Sequence, residues 1–235
     1  MNYSVEQRAR LQAMGIGPLW VLREGDAIPA TNTSTEVRPS TTIDSLDWDA
    51  LEHTVAACEA CGLCKSRTQT VFGVGDRNAE WLLIGEAPGQ EEDACGEPFV
   101  GQAGKLLDNM LKAIGLARGS NVYIANVLKC RPPNNRNPEP REVEQCAPYL
   151  QRQIALLQPK LIVVMGRFAA QALLNSEASI ASLRGKVHRY RARPEDAAVP
   201  VIVTYHPAYL LRTPTDKAKS WTDLCLARET IQQQQ

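Results

Sequence analysis

Seven cysteines in a chain of 235 residues are the first candidates for chemistry, and they are unevenly spaced. Cys58, Cys61 and Cys64 stand together in CEACGLC. Cys130 and Cys146 sit at the two ends of KCRPPNNRNPEPREVEQC, residues 129–146, around a loop rich in proline, asparagine and arginine. An odd count with three cysteines so close reads as metal or cluster ligation rather than as disulfide staples, which are uncommon in reducing compartments. Thiolates hold iron–sulfur clusters and structural zinc alike, so the residue types leave both open. A second set comprises Glu86 in IGEAPGQEED and His206 in TYHPAYLLR, a carboxylate and an imidazole able to hold or move a proton. Taken singly, a glycine-rich turn after a strand commonly only links it to a helix, and one histidine is commonly structural. A third set is basic. Lys129, Arg131 and Arg136 fall in a stretch without an acid, and Arg184, Lys186, Arg189, Arg191 and Arg193 occupy ten residues that contain none. Such patches suit a phosphate backbone, or form a solvated arginine-rich hairpin.

The elements that must position these groups follow from periodicity. Residues 4–14 read as a short helix and TNTSTEVRPSTT at 31–42 as a linker. SLDWDALEHTVAAC is a capped helix leading into Cys58. Strands are expected at 81–85, 122–129, 160–166 and 199–206, and helices at 102–115, 140–157 (interrupted or kinked near Pro148) and 167–174. Short β-branched runs separated by amphipathic helices imply a parallel sheet covered on both faces. In such folds chemistry gathers at the carboxyl ends of the strands, where GEAPG and the His-Pro of TYHPAYLLR both fall. The domain division is 1–44, an N-terminal helix and flexible linker, and 45–235, the main domain. The net charge of zero conceals a split: residues 1–50 carry 4 basic and 7 acidic groups, a balance of −3, and the remaining 22 basic and 19 acidic give +3. No apolar run approaches the roughly 18 residues that cross a bilayer, and MNYSVEQRAR lacks the layout of a signal peptide, so a cytoplasmic protein that does not meet the membrane is expected.

The ordered motifs CEAC, VFGVGD, GEAPGQEED, PFVGQAG, YIANVLKCRPP, the second cysteine in EVEQC, VMG, RGK and HPAYLLR resemble the family 4 uracil-DNA glycosylases, which bear an iron–sulfur cluster. The resemblance runs from about Cys58 to Arg212. It implies a three-layer α/β/α sandwich with a central, mostly parallel four-stranded sheet. It also implies a monomeric enzyme that flips uracil out of single- or double-stranded DNA and hydrolyses its N-glycosidic bond, leaving an abasic site. A noncatalytic iron–sulfur protein that binds DNA or carries electrons is the alternative. A relative that traps the abasic sugar covalently is set aside, because that subgroup carries a histidine in its longer basic loop and the loop between Cys130 and Cys146 has none.

The resemblance assigns residues as well. Cys58, Cys61, Cys130 and Cys146 match the ligands of a 4Fe-4S cluster, with Cys64 able to displace one of them and zinc as the structural alternative. Cys95 and Cys225 are ordinary thiols. Asn126 matches the residue that pairs with uracil N3–H and O4, an edge that cytosine reverses. Phe99 matches an aromatic floor beneath the flipped base, against a plain role in the core. His206 would donate to uracil O2, and Glu86 would orient water or favour positive charge on the sugar. Ala87 stands where the best-known uracil glycosylases have an aspartate. The backbone from Gly85 to Gly89 would line the pocket. Glu92 either excludes thymine's methyl group or belongs to a solvated acidic run. Leu210 or Leu211 would fill the gap left by the base, while Arg212, Arg131 and Arg184 would meet DNA.

Overall fold

A computed structural model describes residues 43–193 and 196–234, together with Glu6 and Arg10, both helical. The rest of the expected helix at 4–14 and the whole linker at 31–42 lie outside the described residues. The chain divides between Arg38 and Pro39, ahead of the domain start read at 45, and the second unit is the one described below.

That unit runs α1 (Trp48–Ala56), β1 (Val74–Gly75), β2 (Trp81–Gly85), α2 (Gln90–Cys95), α3 (Gln102–Ala113), β3 (Val122–Asn126), α4 (Pro140–Leu157), β4 (Leu161–Met165), α5 (Arg167–Leu174), α6 (Ile180–Leu183), β5 (Val187–Tyr190), β6 (Val199–Thr204), α7 (Pro207–Arg212) and α8 (Lys217–Gln232). The sheet has six strands in the order β1-β3-β2-β4-β6-β5. Its centre, β3-β2-β4-β6, is parallel and corresponds to the four expected strands; β1 and β5 add antiparallel edges. β2, β3 and β4 are buried along their whole length and β6 along nearly all of it, which is why they read as continuous apolar runs.

Alternate side chains of these strands enter two cores. Leu82, Ile84, Ile162 and Val203 pack beneath α4 and α5, whereas Leu83, Ile124, Val163 and Ile202 pack against α3 and α8. Helix starts follow local chemistry. Asp47 caps α1 by accepting from the Ala50 N–H at 2.9 Å, and Glu142 reaches back to the Glu139 N–H at 2.8 Å to open α4. The latter helix is assigned without a break through Pro148, although proline removes one N–H from its hydrogen-bond ladder.

The register fixes the site. Gly85 pairs with Asn126, Ile84 with Val164 and Met165 with Thr204, so β3, β2, β4 and β6 all end along one edge of the sheet. Among the described residues, no helix is long and apolar enough to cross a membrane.

Candidate active site and cysteine cavity

Along that edge opens a cleft of about 780 Å³ whose walls include Glu86, Glu92, Phe99, Asn126, His206 and Arg212. Residues far apart in sequence meet there because each follows the end of a parallel strand or the turn after it. Asn126, the last residue of β3, is 2% exposed, and its Oδ1 has no hydrogen-bond partner. Among the described residues only one other buried side-chain atom shares that condition, Oδ1 of Asp223. A buried acceptor left unpaired costs about 1–3 kcal/mol, so the strand end holds a position that a ligand would satisfy. Gly85 makes room for it: a Cβ there would lie 2.4 Å from Asn126 Oδ1 and 2.6 Å from the Phe99 ring.

Phe99 is buried, but it also faces the cleft. Its backbone takes a positive φ of 56°, uncommon outside glycine. Arg118 holds this turn by donating to the Pro98 oxygen at 2.8 Å and the Phe99 oxygen at 2.7 Å. Glu92 closes it from the other side. One carboxylate oxygen accepts from Gly89 N–H at 3.1 Å, and the other accepts from Val100 and Gly101 N–H at 3.0 and 3.2 Å. The carboxylate is therefore a bracket that fixes the Phe99 loop against α2, rather than part of a solvated acidic run.

The Phe99 and His206 rings lie 5.4 Å apart at 30°. His206 caps α7, and its Nδ1 accepts from the Ala208 N–H at 3.2 Å, which places the ring proton on Nε2. Burial pushes its pKa down to about 4, with Arg212 acting in the same direction and Glu92 against it. At neutral pH the ring is thus an uncharged N–H donor. Burial raises the Glu86 carboxyl, opposed by the charge of Arg167. Ala87 lines the cleft beside it, so the wall carries no second carboxylate at that position.

The residues expected to handle DNA separate by exposure. Leu210 is 1% exposed and packed inward, whereas Leu211 is 43% exposed. Arg212 is exposed at the rim. Arg131 is half-buried and donates to Asn135 Oδ1 at 2.8 Å. Arg184 is engaged within the fold: it pairs with buried Asp223 at 2.8 Å, bonds the Lys219 oxygen and covers the Tyr205 ring. Arg136 likewise grips Glu142 through two contacts of 2.9 and 2.5 Å, which ties the loop after Cys130 to the start of α4.

The segment after α1, the segment after β3 and helix α4 bring Cys58, Cys61, Cys130 and Cys146 into the lining of one small cavity, and Cys64 joins them. Cys95 is exposed elsewhere. Among the described residues, no three His, Cys, Asp or Glu side chains converge on a single ion position; the thiols line a wall instead. Two sulfurs receive hydrogen bonds, Cys146 from the Lys129 N–H at 3.3 Å and Cys130 from Arg67 Nη1 at 3.2 Å. As free thiols Cys146, Cys130 and Cys61 are un-ionised, because burial pushes Cys146 up to about 12 and raises the other two. Sequence reasoning missed Arg118, which acts on a turn some twenty residues away, and took Lys129 as part of a surface patch when it is 1% exposed.

Comparison with known proteins adds an independent line. A family model described as the uracil DNA glycosylase superfamily matches residues 72–227. A type-4 uracil-DNA glycosylase of Archaeoglobus fulgidus is 49% identical over 170 residues, covering 71% of this chain and 84% of the relative. Another, from Pyrobaculum aerophilum, is 41% identical over 183 residues, or 77% of this chain and 93% of the relative. A type-5 uracil-DNA glycosylase of Thermus thermophilus is more distant, at 29% identity over 62% of this chain and 78% of its own length.

Proposed function

Because the chain belongs to the uracil-DNA glycosylase superfamily, and within it to the type-4 family, we propose that it excises uracil from DNA by hydrolysis and leaves an abasic site. The observation that carries this reading is the unpaired Oδ1 of buried Asn126 beside the Phe99 ring. Uracil offers that oxygen the N3–H it lacks, and the same amide can donate to O4. Cytosine presents an acceptor at N3 and an amino group at C4, so both contacts become repulsive. The flipped base stacks on Phe99, whose unusual backbone is fixed by Arg118 and Glu92.

Cleavage then needs stabilisation of the departing uracil anion and of positive charge on the sugar. His206 supplies a neutral Nε2–H donor to O2 and gives up no proton. Glu86, when ionised, faces the sugar and orients the attacking water. A single carboxylate serves this role, since Ala87 offers none. Leu211 fills the space vacated by the base and Arg212 holds a phosphate. Arg131 is a second phosphate contact. The engagement of Arg184 with Asp223 speaks for a role in supporting Tyr205 rather than in contacting DNA.

Cys58, Cys61, Cys130 and Cys146 would hold a 4Fe-4S cluster, with Cys64 beside them. Clustered thiols that receive N–H donors at sulfur, in a wall otherwise largely apolar, suit this group. When bound, it clamps the segment after α1, the loop from Cys130 and helix α4 together. The test of the function is incubation of the purified protein with a uracil-containing oligonucleotide followed by alkali. Strand cleavage at the uracil only after alkali is expected; an intact strand would overturn the proposal.

A further inference from the structure

An ammonium without an anionic partner is among the costliest groups to bury, and Lys129 is 1% exposed. It stands between the two sites described above. Its Nζ donates to the backbone oxygen of Asn126 at 2.8 Å and to Gln153 Oε1 at 2.6 Å. Neither partner is a carboxylate. Gln153 is itself fixed in the core, donating to the Phe72 oxygen at 3.0 Å and the Tyr123 hydroxyl at 3.4 Å. The ammonium is therefore held by neutral oxygens on a rigid mount. The other face of the residue borders the cysteine cavity, where its N–H donates to Cys146 Sγ at 3.3 Å. Across that cavity, Arg67 presents a guanidinium N–H to Cys130 Sγ at 3.2 Å.

A buried cation lacking a carboxylate, beside a wall of thiols, has its counter-charge in what the thiols carry when they are ionised. A cluster held by four thiolates is an anion of that kind. We infer that Lys129 is a positioning residue with two tasks: its buried ammonium balances the charge of the thiolate-bound group beyond its own backbone, and the same ammonium fixes the backbone of the base-reading Asn126. This rests on the function and ligand set proposed above. Arg67 supplies charge from the outer side but has no contact with Asn126. The pair thus separates the electrostatic half of the inference from the positional half. Removing a nearby positive charge makes adding an electron to the cluster harder, so its midpoint potential falls. Releasing the Asn126 carbonyl loosens the amide that reads the base.

The test uses the full chain with its cluster, in a potential titration followed by visible absorbance and in single-turnover excision of matched uracil and cytosine oligonucleotides. Wild-type protein without iron and sulfide, or without uracil release, overturns the underlying reading and the inference with it. Given an active wild type, Lys129→Gln is expected to lower the midpoint and to slow uracil excision about 10-fold, the scale of one charge-assisted hydrogen bond. Its uracil-to-cytosine preference falls too. Arg67→Gln lowers the midpoint while that preference stays at the wild-type value. A cluster-bound Lys129→Gln protein with an unaltered midpoint overturns the counter-charge, and one with unaltered excision overturns the link to Asn126. Should Lys129→Gln not fold, Gln153→Asn draws the acceptor away and leaves the charge in place. Slower excision at an unchanged midpoint is then expected, and unaltered excision overturns the inference.

Discussion

The cleft and the cysteine cavity are built on opposite principles. The cleft is assembled by the sheet: Glu86, Asn126 and His206 follow the ends of neighbouring parallel strands, and the buried cores beneath them hold their places. One acceptor there is left unpaired for a substrate. The cavity draws instead on loops and on two helices that no strand register aligns. It gathers Cys58, Cys61, Cys130 and Cys146 while hydrogen-bond donors already point at two of the sulfurs. A site that discriminates substrates has to be rigid before the substrate arrives, since its selectivity comes from leaving wrong partners unpaired. A clamp can depend on the group it holds. Changes in the cleft should therefore act on chemistry, and changes to the cavity's cysteines on the quantity of folded protein.

The largest effect expected in the cleft is at Asn126. Asn126→Asp loses the donor to O4 and sets a carboxylate against that oxygen, and uracil excision should fall by up to about 10⁴-fold. Burial favours the protonated acid, which can donate to cytosine N3 and accept from its amino group, so slow excision of unpaired cytosine should appear. Asn126→Ala should lose the first activity without gaining the second; a variant that keeps the wild-type preference would move base reading elsewhere. Next come Glu86→Ala and His206→Ala, each slowing single-turnover excision by roughly 10²-fold while binding to uracil-containing DNA survives. A wild-type rate in His206→Ala would make the ring a structural cap only.

The pH dependence sharpens the division between these two residues. Glu86 acts ionised and its pKa is raised, so activity is present above that value and is lost as pH falls through it, at a pH above the usual carboxylate range. His206, whose pKa is held at about 4, adds no limb near neutrality. Glu86→Gln should abolish the acid limb of the rate profile, and an unchanged limb would assign it to another group. On the cavity side, Cys146→Ser should lower the yield of folded, iron-containing protein far more than Cys225→Ser; equal losses would count against the ligand set. The smallest effect separates the two leucines. Leu211→Ala should slow excision from duplex DNA several-fold more than from single strands. Leu210→Ala, in a packed position, should instead lower stability by about 2–5 kcal/mol in denaturant unfolding.

Much of the cleft was legible because strand ends are. WLLIG coincides with β2, and RFAAQALL with α5. Helix α8 was not, because its buried face carries Ser220 and Asp223 among Leu224, Ala227 and Ile231, which masks the apolar period. Of the edge strands, β1 escaped because it has only two residues, whereas β5, which alternates between exposed and half-buried and pairs antiparallel with β6, is the arm of the arginine-rich hairpin that the sequence offered as one reading. Charge was the most misleading signal. Arg184, Arg136 and Lys129 read as a surface for phosphate, yet Asp223, Glu142 and the Asn126 carbonyl engage them within the fold. Only the folded chain shows which partner a long side chain reaches.

The separation of chemistry from scaffold is tested most directly by one single-turnover time course, resolved into an amplitude and a rate constant, for His206→Ala and Cys58→Ser beside the wild type. His206→Ala should reach the full amplitude with a rate constant lowered by roughly 10²-fold. Cys58→Ser should reach a reduced amplitude, matching its iron content, at about the wild-type rate constant. A Cys58→Ser protein with full amplitude and a slow rate constant would place the cysteine cavity in the chemical step and contradict the account.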